Sequence, residues 1–185
     1  MDSITANKSI IHFNNTCYTS LNQHIEDNNF SKIFILADEN THLHCLPKLL
    51  EKLETDKTIE IIEIESGEIN KTIETCVGVW NALSELDADR KSLMINIGGG
   101  VITDLGGFVA CTFKRGIAYI NIPTTLLSMV DASVGGKTGV DLGHLKNQIG
   151  VISNPDLVLI DTPYLDTLPQ DQMRSGLAEM LKHGL

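Results

Sequence analysis

Lysines, carboxylates, threonines and glycines crowd one stretch of the chain, from Gly98 to Asn147. It reads GGGVITDLGGF from Gly98, KRG at Lys114–Gly116, PTTLLSMVDASVGGKTGVD from Pro123, and LKN at Leu145–Asn147. Glycines let a ligand reach backbone amides, and a helix start presents unpaired N–H groups to an anion. Lys114, Arg115, Lys137 and Lys146 concentrate positive charge there, in a chain whose formal net charge is -10. Such a mixture suits an anionic, polar ligand. Two familiar phosphate motifs nearly match, and both fail. A GxGxxG fingerprint needs glycine where Thr103 stands, and a GxxxxGK[ST] loop ending at Gly136-Lys137-Thr138 needs glycine where Asp131 stands. Gly99 and Gly100, between a strand and a helix, still suit a pyrophosphate.

These residues need a scaffold, and the flanking pattern predicts one. KIFILADEN from Lys32 reads as a buried strand and Leu43–Leu53 as a helix. Thr58–Glu65 alternates like a strand. The stretch Asn70–Leu86 carries Ile73, Cys76, Val77, Trp80, Leu83 and Leu86 at helical spacing. Strand Ser92–Gly98, a helix over 101–110, strand AYINIP, helix TTLLSMVDA, an irregular glycine-rich segment, strand LVLID and a helix from about Gln170 follow. Alternating strands and helices predict an α/β fold: a parallel sheet with helices on both faces, Rossmann-like. Ligands in such folds bind beyond the carboxyl ends of the strands, where Asp38, Gly98–Gly100 and Pro123–Thr125 fall.

At 185 residues, 42% hydrophobic and 21% charged, the chain can fill one core. Its acidity argues against nucleic acid and anionic membrane as partners. Cys17, Cys45, Cys76 and Cys111 form no CxxC pair and read as reduced core thiols. The start of the chain has no signal-peptide pattern and no apolar run reaches a membrane-spanning length, so a cytoplasmic location is expected. The last helix stops at Leu185 without a cap, which predicts a fragment: a nucleotide-binding domain over 1–170 and the start of a helical, metal-binding domain over 171–185, whose remainder is missing.

The motifs GGGVITDLGGF, KRG, PTTLLSMVDASVGGKTGVD, LKN, TLP and GLAEMLKHG resemble those of the 3-dehydroquinate synthase family, in order and separation, over Asp38–Leu185. The resemblance implies NAD, a divalent metal (zinc, with cobalt as an alternative), a small-molecule sugar phosphate substrate and a homodimer. It implies conversion of 3-deoxy-D-arabino-heptulosonate 7-phosphate to 3-dehydroquinate and phosphate, with NAD transiently oxidising a substrate hydroxyl and being regenerated. The wider group of sugar-phosphate cyclases shares much of the pattern, so sedoheptulose 7-phosphate or glucose 6-phosphate is the alternative substrate. A stand-alone NAD- or phosphate-binding module is the alternative outside catalysis.

Carried over by position, the resemblance assigns cofactor contacts to Asp38, Glu68, Lys71, Gly99, Gly100, Asp104, Thr124, Thr125, Leu165 and Thr167, with Lys137 and Lys146 also close to the cofactor. Asp131, Lys137, Lys146 and Asn147 match substrate contacts. Arg115 matches an arginine lent to a neighbouring subunit's phosphate. Glu179 matches a metal-binding carboxylate, and Lys182 faces the same site one turn later. His183 lies at i, i+4 from Glu179 on one helix face, but is read as a surface or interdomain residue, because the resemblance places the two histidine ligands in a second domain. The other histidines are read as surface residues. Thr103, Ser66 and Gln172 depart from the family pattern without removing a catalytic group.

Overall fold

The computed structural model describes residues 3–6 and 9–185. Nine strands and six helices are present among them: β1 (Ser3–Ala6), β2 (Ser9–Phe13), α1 (Cys17–Asn28), β3 (Ile33–Asp38), α2 (Glu39–His44), α3 (Leu46–Lys52), β4 (Ile59–Ile64), α4 (Ile73–Glu85), β5 (Leu93–Gly98), α5 (Gly100–Thr112), β6 (Ala118–Pro123), β7 (Lys137–Leu142), β8 (Leu145–Ile152), β9 (Leu157–Ile160) and α6 (Gln170–Gly184). Seven strands form one sheet in the order β1-β2-β9-β6-β5-β3-β4, parallel throughout except for β1 against β2.

The apolar runs in β3 and β5 feed two cores because successive side chains point to opposite faces. Ile33, Ile35, Leu93, Ile95 and Ile97 meet Cys17, Leu21 and Ile25 of α1 and Leu46 and Leu49 of α3. Phe34, Leu36 and Met94 meet Cys76, Val79 and Leu83 of α4 and Ile102, Leu105 and Val109 of α5. Helices therefore cover both faces, as the alternation of strands and helices predicts.

Three local expectations are corrected. Leu43–Leu53 is not one helix. Asp38 caps α2 from the strand end, accepting the Thr41 amide at 2.8 Å, and Pro47 near the start of α3 cannot continue the preceding helix past Cys45. TTLLSMVDA is helical only in part, ending in a π-helical turn at Ser128–Ala132. The irregular glycine-rich segment is instead a β-hairpin of β7 and β8, packed on α5. Gly139 and Gly150 stand opposite each other in it, and a Cβ on either would run into the facing backbone. The exposed face of β8, with little apolar alternation, hides this strand from a periodicity argument.

Candidate functional site

Three strand ends build the floor of the site. Asp38 closes β3, Gly98 closes β5 and Pro123 closes β6, and the Thr124 amide donates to the Gly98 carbonyl at 2.9 Å. Gly99 caps α5 with extended backbone and no side-chain hydrogen bond, so the first-turn amides of α5 have no capping oxygen. Thr125 packs against Gly99, where an added Cβ would sit 3.0 Å from its methyl carbon. The backbone here fits a phosphate: half-exposed amides, the positive end of a 13-residue helix, and no competing cap.

Beside this start lies an ionic knot around one buried lysine. Lys71, only 4% exposed, follows a 3-10 turn at Glu68–Asn70 and extends its Nζ to Asp104 Oδ2 at 2.5 Å and to Asn147 Oδ1 at 2.7 Å. Burial pushes the Asp104 carboxyl up from its usual range, and Lys71 pulls it back down. Lys146 Nζ meets Glu68 Oε1 at 3.2 Å and the Asp141 amide donates to the Lys71 carbonyl at 2.9 Å, so the hairpin is tied to the Glu68–Lys71 loop three times. Asn147 holds a left-handed backbone with φ 53°, and its amide donates to Asp141 at 2.7 Å.

A second cluster forms where α6 passes the π-helical turn. His183 Nε2 lies 3.4 Å from Glu179 Oε1 and 3.8 Å from Asp131 Oδ1, and one donor atom from each residue lies within 4.8 Å of the others. Lys182 donates to Glu179 Oε1 at 2.9 Å, and that bond draws the Glu179 carboxyl below its usual range and the Lys182 ammonium above its own. A nitrogen and two carboxylates at this spacing are the hard and borderline donors that divalent ions take, so the residues present fit a metal.

The positions named from sequence thus fall into groups. Glu68, Lys71, Asp104, Lys146 and Asn147 come together, as do Asp131, Glu179 and Lys182. Lys137 does not join Asn147: it pairs with Ile152 at the open end of the hairpin, whereas Asn147 is near the turn, roughly 15 Å away at strand spacing. Arg115 is remote from both groups. It follows the far end of α5, about 20 Å from Gly100 by helical rise, with φ 71° and its side chain exposed.

Sequence reasoning set His183 aside as a surface or interdomain residue, and the structure places its ring beside Glu179 and Asp131. The reach to Asp131 leaves no local signal. The cysteines are free, and Cys17, Cys45 and Cys76 are core thiols as expected, burial pushing Cys17 and Cys76 up to about 12 and Cys45 to about 11, whereas Cys111 is half-buried. His12 is half-buried rather than on the surface, bonded to Ser20 at 3.0 Å.

A family profile described as 3-dehydroquinate synthase N-terminal matches residues 61–175, which carry the helix start, the ionic knot and the hairpin. The chain belongs to that family. The 3-dehydroquinate synthase of Parabacteroides distasonis is 49% identical over 156 residues, covering 84% of this chain and 44% of the relative. The chain therefore spans under half the length of that 3-dehydroquinate synthase. Among solved structures, 2-deoxy-scyllo-inosose synthase complexed with carbaglucose-6-phosphate, NAD+ and Co2+ superposes with a TM-score of 0.82 at 27% identity, over 94% of this chain and 48% of that one. The 2-epi-5-epi-valiolone synthase of Streptomyces hygroscopicus, with NAD+ and Zn2+ bound, does so with a TM-score of 0.80 at 29% identity, over 98% and 51%. No helix among the described residues is long and apolar enough to cross a membrane.

Proposed function

We propose that this chain is the cofactor-binding part of a 3-dehydroquinate synthase, taking NAD, a divalent metal and 3-deoxy-D-arabino-heptulosonate 7-phosphate. The observation that carries this reading is the knot of buried Lys71 with Asp104 and Asn147 beside the uncapped start of α5. It sets a cation and directed polar groups beside amides suited to a pyrophosphate. The bound NAD of two structural neighbours supports the assignment, as does the 49% identity to a 3-dehydroquinate synthase against 27% and 29% to the other cyclases.

NAD supplies a reversible hydride acceptor, and a divalent ion polarises a substrate oxygen. The chain's own residues do the rest. The amides from Gly100 onward hold the pyrophosphate, and Asp38, its Oδ1 engaged by Thr41, offers its other oxygen to a ribose hydroxyl. Thr124, Thr125, Leu165 and Thr167 line the cofactor, and Glu68 and Lys71 close over it. Lys146 and Asn147, held by Glu68 and Lys71, contact the substrate, as do Asp131 and Lys137. Glu179 binds the metal and Lys182 donates to that carboxylate. Arg115, remote from its own chain's site, serves the phosphate of a second copy in a homodimer.

Titration calorimetry with NAD, with NADP as control, tests the reading. Specific NAD binding by the folded chain is the expected result, and a folded chain that ignores NAD overturns it. The 185 residues are expected to release no phosphate from the substrate by themselves, as followed by a phosphate assay with NAD and zinc.

A further inference from the structure

A polar network lies under the floor of the site, on the face that α1 covers. Asp161, just past β9 and 4% exposed, receives side chains from two helices. Tyr18 of α1 donates its hydroxyl to Asp161 Oδ2 at 2.9 Å, and Lys48 of α3 places its enclosed Nζ 2.7 Å from the same oxygen. Tyr164, 2% exposed, bonds its hydroxyl to that of Tyr18 at 2.9 Å. Tyr18 has one proton and gives it to the carboxylate, so Tyr164 is the donor in that second bond. The order is fixed: Tyr164 to Tyr18 to Asp161, with Lys48 balancing the charge and covering the Tyr164 ring at 4.6 Å from its centroid. Burial raises both phenols, so they stay protonated donors through the neutral range.

The segment this network grips is short and exposed. Residues Thr162–Thr167 form a 3-10 turn whose one buried residue is Tyr164. Besides Tyr164 it is held by Asn14 Oδ1, which accepts from the Thr162 amide at 3.0 Å and hydroxyl at 2.9 Å. The turn also carries Leu165, partly buried against the same core, and Thr167, whose hydroxyl donates to the Tyr164 carbonyl at 3.4 Å. An apolar anchor would hold the turn down without setting its rotation. A directional, fully donated chain of hydrogen bonds does set it.

We propose that Tyr18, Lys48, Asp161 and Tyr164 are positioning residues that fix the Leu165–Thr167 edge for the bound dinucleotide. This rests on the cofactor reading above. Tyr18→Phe and Tyr164→Phe each remove one hydroxyl without changing shape. Ile25→Val, in the same core on α1, serves as a destabilised control. Melting temperature is measured for each variant, and calorimetry gives the dissociation constant for NAD. The expected result is that either phenylalanine variant weakens NAD about tenfold, the scale of one lost hydrogen bond. The valine variant binds within about twofold of the parent, although it melts lower. Phenylalanine variants that bind NAD like the parent overturn the proposal and leave the cofactor reading standing. A parent chain that binds no NAD overturns both.

Discussion

At the scale of single residues, the site is defined by what Lys71 holds. Its ammonium is the shared partner of Asp104 and Asn147, and almost none of it reaches solvent. Lys71→Met is expected to cost about 3 kcal/mol in urea denaturation, because a buried carboxylate loses its counter-charge, and to abolish measurable NAD binding by calorimetry. Gly106 presents the opposite problem. A methyl there would overlap the carboxamide of Asn96, which is fully buried and donates to Asn121 Oδ1 at 2.9 Å. Gly106→Ala is expected to destabilise by about 2 kcal/mol, read as a lowered melting temperature, since neither α5 nor β5 can move aside without opening the core.

Among the elements, the strand starts opposite the site are held by polar turns whose effect depends on pH. Ser31, just before β3, donates its hydroxyl to Asp89 Oδ1 at 2.6 Å, and the Lys91 amide donates to the same atom at 2.8 Å just before β5. The Ser31 bond leads in drawing the Asp89 carboxyl below its usual range. A carboxylate depressed in the folded state contributes stability that is complete above its unfolded value, about 4, and disappears as pH falls through the folded value. Ser31→Ala should therefore lower stability at pH 7 and flatten the loss between about pH 4 and 2, measured by urea midpoints across that range. An unchanged acid slope would show that Asp89 does not carry it.

Across the whole molecule, the metal cluster depends on one point of packing. Gly176 is the buried residue of α6, and a Cβ there would sit 2.5 Å from Leu126 Cβ and 2.7 Å from the Leu127 amide. That contact lays α6 against the π-helical turn and brings Glu179 to Asp131. Gly176→Ala is expected to displace the helix and weaken Co2+ binding by about ten- to a hundredfold, followed by visible absorption of the Co2+-loaded chain. NAD affinity should hold, because α5 and the ionic knot lie outside that contact. Equal loss of both ligands would show that the fold as a whole, not the seat of α6, had failed.

Much of this protein was legible in order of residues. Contiguous apolar runs such as KIFILAD and SLMINI mark strands buried on both faces, and the stripe from Ile73 to Leu86 marks α4, because burial leaves its period in local sequence. The motifs from Gly98 to Asn147 marked the family for the same reason: their spacing is set by short-range backbone geometry. Other features were settled only in three dimensions. The glycine-rich hairpin pairs strands with little alternation, and its close approach depends on Gly139 facing Gly150. The burial of Lys71 comes from meeting residues 33 and 76 positions away, and Tyr18 reaches Asp161 across 143. Polar partners so distant leave no periodic trace, since a lysine or tyrosine carries the same local signature whether its partner is water or a buried carboxylate. Residue order determined which elements form and what chemistry they carry. Tertiary packing alone decided which charges meet out of water, where directional pairing is strong enough to fix the geometry of a site.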